Sequence, residues 1–235
     1  MAYKRVLLKL SGEMFAGKYE SGIDPELVTW FAKEVKKAAD NGTEIVIMVG
    51  GGNFVRGAQI AGHGIRRVTG DHMGMLATMI NALAVTDIFE ANNVKTRCLS
   101  NIFADQVAEK FVYRLANKHL EKGRVVIAAG GIGRPYLTTD TAAVSLALEM
   151  DCEIVLKATK VDGVYDKDPN KHDDAKRYET LDFQHAVENP HIKVMDKAAM
   201  GLAMEQGMKL VIFNPMEEGA IANLVAGDSI GTTIS

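Results

Sequence analysis

Short apolar runs alternate along the chain with longer stretches in which apolar residues recur at helical spacing. Residues 6–8, Val6-Leu7-Leu8, predict a buried strand that closes on Lys9-Leu10. Asp24-Pro25 has the signature of an N-cap followed by proline at the first helical position. Leu27, Val28, Phe31, Val35 and Ala38 then mark one helical face, and Asn41-Gly42 stops it. The pattern continues with a strand over 44–49, a helix over about 70–92 and a strand over 96–99. A helix ending near Lys122-Gly123 comes next, then a strand over 124–129 and a helix over 139–150. After these follow a strand over 153–158, a helix over 196–206, a strand over 210–213 and a last helix over 219–226. The polar stretch 166–182 is expected to be a surface loop. The helix that carries Met73, Met75, Leu76, Met79, Ile80 and Leu83 is apolar nearly all round, so it belongs in a core or a subunit interface.

Alternation of this kind predicts an α/β protein with a mainly parallel sheet covered on both faces. With 235 residues the chain is one large domain or two small ones, and no repeat or linker divides it. Apolar residues are 47% and charged residues 24%, which excludes a disordered or collagenous chain. A net charge of −3 argues against a nucleic-acid scaffold. Cys98 and Cys152 are too few for a disulfide framework and fit a reducing cytoplasm. The first residues lack the apolar core of a signal peptide. The longest uncharged apolar stretch, 73–86, is too short to span a bilayer. The expected setting is therefore soluble and cytoplasmic, with no membrane or nucleic-acid partner.

In parallel α/β sheets ligands bind beyond the carboxyl ends of the strands, so those junctions hold the candidate chemistry. Gly12 to Tyr19 nearly matches a Walker A loop, but Tyr19 stands where a hydroxyl should hold Mg²⁺, and the capped helix begins only at Asp24. Lys9 interrupts an apolar strand where a cation would meet a phosphate; the alternative is a lysine reaching out to solvent. Gly50-Gly51-Gly52, followed by Arg56, offers backbone N–H groups and a forked donor to an anion. Asp71, after Gly70, is placed as a helix cap by local pattern alone. Gly130-Gly131-Ile132-Gly133-Arg134 leads to Thr138-Thr139-Asp140 in a second glycine-rich junction, where Asp140 is again a possible cap. Lys157-Ala158-Thr159-Lys160 and the acids around Tyr165 look, taken alone, like a solvated turn, and Asp196 looks like the cap of the helix after it.

Together these residues resemble the amino-acid-kinase superfamily over nearly the whole chain. The loop from Lys157 to Pro169 carries the superfamily likeness, and Gly70-Asp71-His72-Met73-Gly74-Met75 is similar to the branch that acts on UMP. The resemblance implies a three-layer αβα sandwich that transfers the γ-phosphate of ATP to UMP, in pyrimidine nucleotide biosynthesis. It implies an acceptor part over about 1–150 and an ATP part over about 151–235. By the same resemblance Lys9, Leu10, Ser11, Gly12, Gly52, Arg56, Thr159, Tyr165 and Asp168 would serve ATP. Gly51, Asp71, Ile132, Gly133, Arg134, Pro135, Tyr136, Leu137, Thr138 and Thr139 would serve UMP. Lys9, Arg56, Asp140, Lys160 and Asp196 would surround the transferred phosphoryl, with Mg²⁺ carried in on ATP and no dedicated metal ligands. A homohexamer built from dimers and inhibition by UTP are also implied. Many family members have threonine where this chain has Ile132, and the region expected to bind an activating GTP offers only Lys95 and Arg97 as cations. Rival readings are a kinase for a small carboxylate or carbamate on the same fold, and a non-catalytic nucleotide- or oxyanion-binding protein.

Overall fold

The structure is a computed structural model, and it describes residues 2–60, 64–167, 169, 171–189, 192 and 194–235. The elements run β1 (Arg5–Leu10), α1 (Gly12–Phe15), α2 (Pro25–Asp40), β2 (Glu44–Val49), α3 (Gly57–Ile60), α4 (Arg67–Ala91), β3 (Thr96–Ser100), β4 (Glu109–Lys110) and α5 (Tyr113–Leu120). They continue through β5 (Val125–Ala129), α6 (Thr139–Glu149), β6 (Ile154–Ala158), β7 (Thr180–Leu181), α7 (Phe183–Glu188), α8 (Lys197–Gln206), β8 (Leu210–Phe213), α9 (Ala220–Ala226) and β9 (Thr232–Ile234). The strands form one sheet in the order β4-β3-β5-β2-β1-β6-β8-β9-β7. Every pairing is parallel except β8 with β9.

Because successive strand residues point to opposite faces, the sheet divides two cores. Val6, Leu8 and Leu10 pack with α2, α4 and α9. Leu7, Val46 and Val155 pack with α5, α6 and α8 on the other side. This is the expected three-layer α/β architecture. Asp24 caps α2 by accepting from the Glu26 N–H at 3.0 Å, with Pro25 at the first helical position. Lys18, the lysine of the rejected Walker-like run, pairs with exposed Glu26 at 2.8 Å.

Two expectations are corrected. The stretch 166–182 is not simply a loop: Tyr165 bridges Arg177 in antiparallel fashion, and β7 adds Thr180–Leu181 to the sheet. The long helix starts at Arg67, with Arg66 as its N-cap, so Asp71 lies inside α4 and caps nothing. Gly70 marks a crossing instead of a start, since a Cβ on it would lie 2.8 Å from Gly57 O, and only two bare backbones let α3 meet α4 this closely. The apolar helix α4 divides between a core side and an exposed side. Met75, Met79, Ala82, Val85 and Phe89 enter the core, whereas Met73 (36%), Leu76 (55%) and Ile80 (48%) are exposed. One 18-residue window of α4 has a mean hydropathy of 1.3, so by length and composition alone the helix is apolar enough to cross a membrane. Its Met79–Phe89 face, however, is part of the sheet core.

Candidate active site

Lys9 in β1 and Lys157 in β6 are register partners across a parallel pair. The pleat points both toward α6. Lys9 is 6% and Lys157 8% exposed, so neither reaches out to solvent. Two buried ammonium groups require a counter-charge, and the first turn of α6 supplies it. Asp140 Oδ1 lies 2.7 Å from Lys9 Nζ, and Oδ2 lies 2.7 Å from Lys157 Nζ. The Lys9 contact is an ion pair without an aligned hydrogen bond to Oδ1; Lys9 donates instead to Ser11 Oγ at 3.2 Å. Lys157 also donates to the Val194 carbonyl at 2.5 Å. Burial pushes the Asp140 carboxyl up, but the two ammonium groups outweigh it and hold it below the usual carboxylate value. Burial drives Lys157 below the usual lysine value, with Lys9 adding to the effect and Asp140 opposing it. Lys9, Lys157 and Asp140 by themselves thus carry a surplus of one positive charge, with the Asp196 carboxylate close enough to act on Lys157.

Asp140 does not cap α6. Thr138 does, accepting from the Asp140 N–H at 3.0 Å. Asp196 does cap α8, through the Ala199 N–H at 2.9 Å. It also accepts from Thr138 Oγ1 at 2.5 Å and from Thr141 Oγ1 at 3.0 Å, which ties the N-termini of α6 and α8 together.

Two cavities meet over this junction. The first, of 450 Å³, opens beside β1 and β2. It gathers Lys9, Ser11, Gly12, Gly51, Gly52, Arg56, Asp71, Ile132, Arg134, Leu137, Thr138, Thr139, Asp140 and Asp196 from the expected residues. The second, of 690 Å³, lies beside β6 and gathers Ser11, Lys157, Thr159, Lys160 and Tyr165. Ser11 and Glu13 line both. Tyr165 Oη donates to Asp162 Oδ1 at 2.7 Å, while Arg177 holds Asp162 Oδ2 at 3.0 Å. That hydrogen bond raises the Tyr165 phenol above its usual value. Leu10 is buried in the sheet, and Gly133, Pro135 and Tyr136 line neither cavity. Asp168 lies outside the described residues.

The triple glycine also lets the chain pack closely on itself. A Cβ on Gly51 would lie 2.8 Å from Gly74 O, and one on Gly12 would run into the Gly52 backbone. Gly50 and Gly51 therefore let the chain approach itself, while all three glycines line the first cavity. Arg56 is paired with Glu13 rather than standing free. Lys157 is a candidate functional group that its lysine-rich surroundings disguise in the sequence, where a second lysine closing an apolar strand is the available signal. Arg67 and Glu13 carry no such signal.

A three-layer α/β protein whose cationic junction separates two cavities belongs to the class built to bring two anionic ligands together. Residues 4–214 match the amino acid kinase family, and the chain belongs to that family. It is 47% identical over 234 residues to the uridylate kinase of Xanthomonas oryzae pv. oryzae, covering 100% of this chain and 97% of that one. The UMP kinase structure from Bacillus anthracis matches with a TM-score of 0.95 at 36% identity, over 100% of this chain and 97% of that chain. The UMP kinase from Ureaplasma parvum matches with a TM-score of 0.91 at 33% identity, covering 100% of both chains.

Proposed function

We propose that this chain is a nucleoside monophosphate kinase that transfers the γ-phosphoryl group of ATP to UMP, giving UDP and ADP. The observation that carries the reading is the pair of adjoining cavities with Lys9–Asp140–Lys157 buried between them. Full-length likeness to uridylate kinases supports UMP as the acceptor.

The UMP phosphate is already an anion, so no general base is required. One of its oxygens bonds to the γ-phosphorus, the bond from that phosphorus to the β–γ bridging oxygen breaks, and ADP leaves with the electron pair. The obstacle is repulsion between two polyanions. Lys9 on the acceptor side and Lys157 on the other side of Asp140 bring positive charge to the transferring group from buried positions, where screening is weaker than at the surface. Asp140 holds both ammonium groups at one place. Arg56 exchanges Glu13 for phosphate, and Asp71 accepts from a ribose hydroxyl. Thr159, Lys160 and Tyr165 with Ser11 and Gly12 hold ATP, as does Asp168. Mg²⁺ enters on the ATP oxygens as part of that substrate, since Asp140 is taken by two lysines and Asp196 by two hydroxyls and an N–H. In this reading residues 1–150 form mainly the acceptor side and 151–235 mainly the ATP side, in a cytoplasmic enzyme of pyrimidine synthesis. UTP, sharing the uracil and ribose of UMP, competes at the acceptor cavity.

Asp71→Asn tests the acceptor site. Asparagine keeps an acceptor for the Tyr136 N–H but loses the ion pair with Arg67, so Tm should fall only modestly. A ribose hydroxyl donating to a carboxylate is worth roughly 1.5–3 kcal/mol, so the KM for UMP should rise about ten-fold or more. The KM for ATP should stay near its original value, and the preference for UMP over dUMP should shrink if the 2′-hydroxyl is the donor. An unchanged KM for UMP would remove Asp71 from the site.

The exposed Met73–Leu76–Ile80 stripe of α4 supports self-association into dimers and thence a hexamer. Leu76→Glu places an unpaired carboxylate in that interface at a cost of several kcal/mol. Light scattering should show a smaller particle, and an assembly of unaltered mass would mean that this face makes no contact.

A further inference from the structure

Arg67 and Asp71, which line the first cavity, form a three-part contact with Tyr136 beside it. Arg67 Nε donates to both oxygens of Asp71, at 2.9 and 3.0 Å, one helical turn further along α4. The Tyr136 N–H, in the loop between β5 and α6, donates to Asp71 Oδ2 at 2.9 Å. The Arg67 guanidinium also lies over the Tyr136 ring, 5.4 Å from its centroid. Tyr136 has a left-handed backbone, with φ of 68°, a conformation that a tyrosine keeps only where its surroundings hold it there. Oδ2 of Asp71 therefore already accepts two hydrogen bonds, while Oδ1 accepts one and retains a lone pair for a ligand hydroxyl.

We propose that Arg67 is a positioning residue for the acceptor sugar. It fixes the Asp71 carboxylate with Oδ1 available, and with Asp71 it draws the loop carrying Tyr136 against α4. The cavity wall is thereby set before the nucleotide arrives. Arg67 lines that cavity without touching the phosphate junction, so its influence falls on acceptor binding and leaves phosphoryl transfer alone. A planar guanidinium suits the task because it pairs with a carboxylate and stacks on a ring at once; a lysine can do only part of this. The inference rests on the reading of UMP as the acceptor.

Steady-state kinetics of the wild type, Arg67→Met, Arg67→Lys, Asp71→Asn and the Arg67→Met/Asp71→Asn pair test it. Arg67→Met should raise the KM for UMP by about ten-fold, the loss expected for one charge-assisted contact. The KM for ATP and kcat should stay within about two-fold, because the missing contact acts on acceptor binding alone. Arg67→Lys should recover part of the affinity. In the Asp71→Asn background Arg67→Met should add little, since the two residues act as one unit. An Arg67→Met enzyme with a normal KM for UMP overturns the proposal. So does one in which both KM values and Tm shift together, which is a structural role only. A wild type that releases no ADP in response to UMP overturns the acceptor reading and this proposal with it. An active wild type, with Asp71→Asn impaired and Arg67→Met normal, overturns the positioning role alone.

Discussion

Lys9→Ala is expected to lower kcat by about 10²-fold or more, the loss typical when one donor aimed at developing charge is removed. The KM for UMP should change little, because Asp71 and the loop before α6 remain in place. The fold should tolerate the change. Asp140 keeps Lys157 at 2.7 Å, so removal of Lys9 leaves a neutral buried pair where there was a surplus cation. A variant that turns over at near the wild-type rate would take Lys9 out of the mechanism. A variant that loses UMP affinity but keeps kcat would make it a binding group only.

Asp140→Asn should act in the opposite way on stability. It leaves two buried ammonium groups facing each other without a counter-charge, and removing one partner of a buried ion pair typically costs about 3–5 kcal/mol. Activity should fall as well, since the lysines lose the group that holds them together. The pH dependence has a definite sign. In the wild type the Asp140 carboxyl titrates below its unfolded value, so its contribution is present through neutrality and is lost as pH falls through that lowered value. Lys157 titrates below 10.5 in the fold, and more so once Asp140 is gone. Between that lowered value and 10.5 the unfolded chain binds more protons than the folded one, so the stability of Asp140→Asn should rise with pH. Urea unfolding at neutral and alkaline pH measures this. An Asp140→Asn protein as stable as the wild type at pH 7, with no gain on raising the pH, would contradict the buried triad.

Much of the frame was legible from the chain alone, for identifiable reasons. Buried parallel strands are continuous apolar runs, and those predicted over 44–49 and 210–213 coincide with β2 and β8. Asp24-Pro25 and Asp196 announce helices whose caps need only local hydrogen bonds. What stayed hidden depends on distant parts of the chain. The short elements α1, α3, β4, β7, α7 and β9 have too few residues to show a period. β9 is recognisable only through its neighbours: Thr232 Oγ1 accepts from the Val164 N–H and donates to the Tyr178 carbonyl. Gly70-Asp71 imitates a cap because glycine serves a backbone crossing as readily as a helix start. Lys157 was overlooked because its lysine–threonine–lysine surroundings look solvated, whereas its strand register with Lys9 and the approach of α6 bury it. Arg67 carries no motif, and only the fold brings the Tyr136 ring beneath it.

In the proposed mechanism the cationic junction between the two cavities passes a phosphoryl group from ATP to a uridine nucleotide. Coupled ADP release by the purified wild-type chain, with UMP, CMP, dUMP and acetylglutamate offered in turn, measures it most directly. The account predicts fast release with UMP, weaker release with dUMP and CMP, and none with acetylglutamate. Release driven by acetylglutamate, or none with UMP at any concentration, would contradict it.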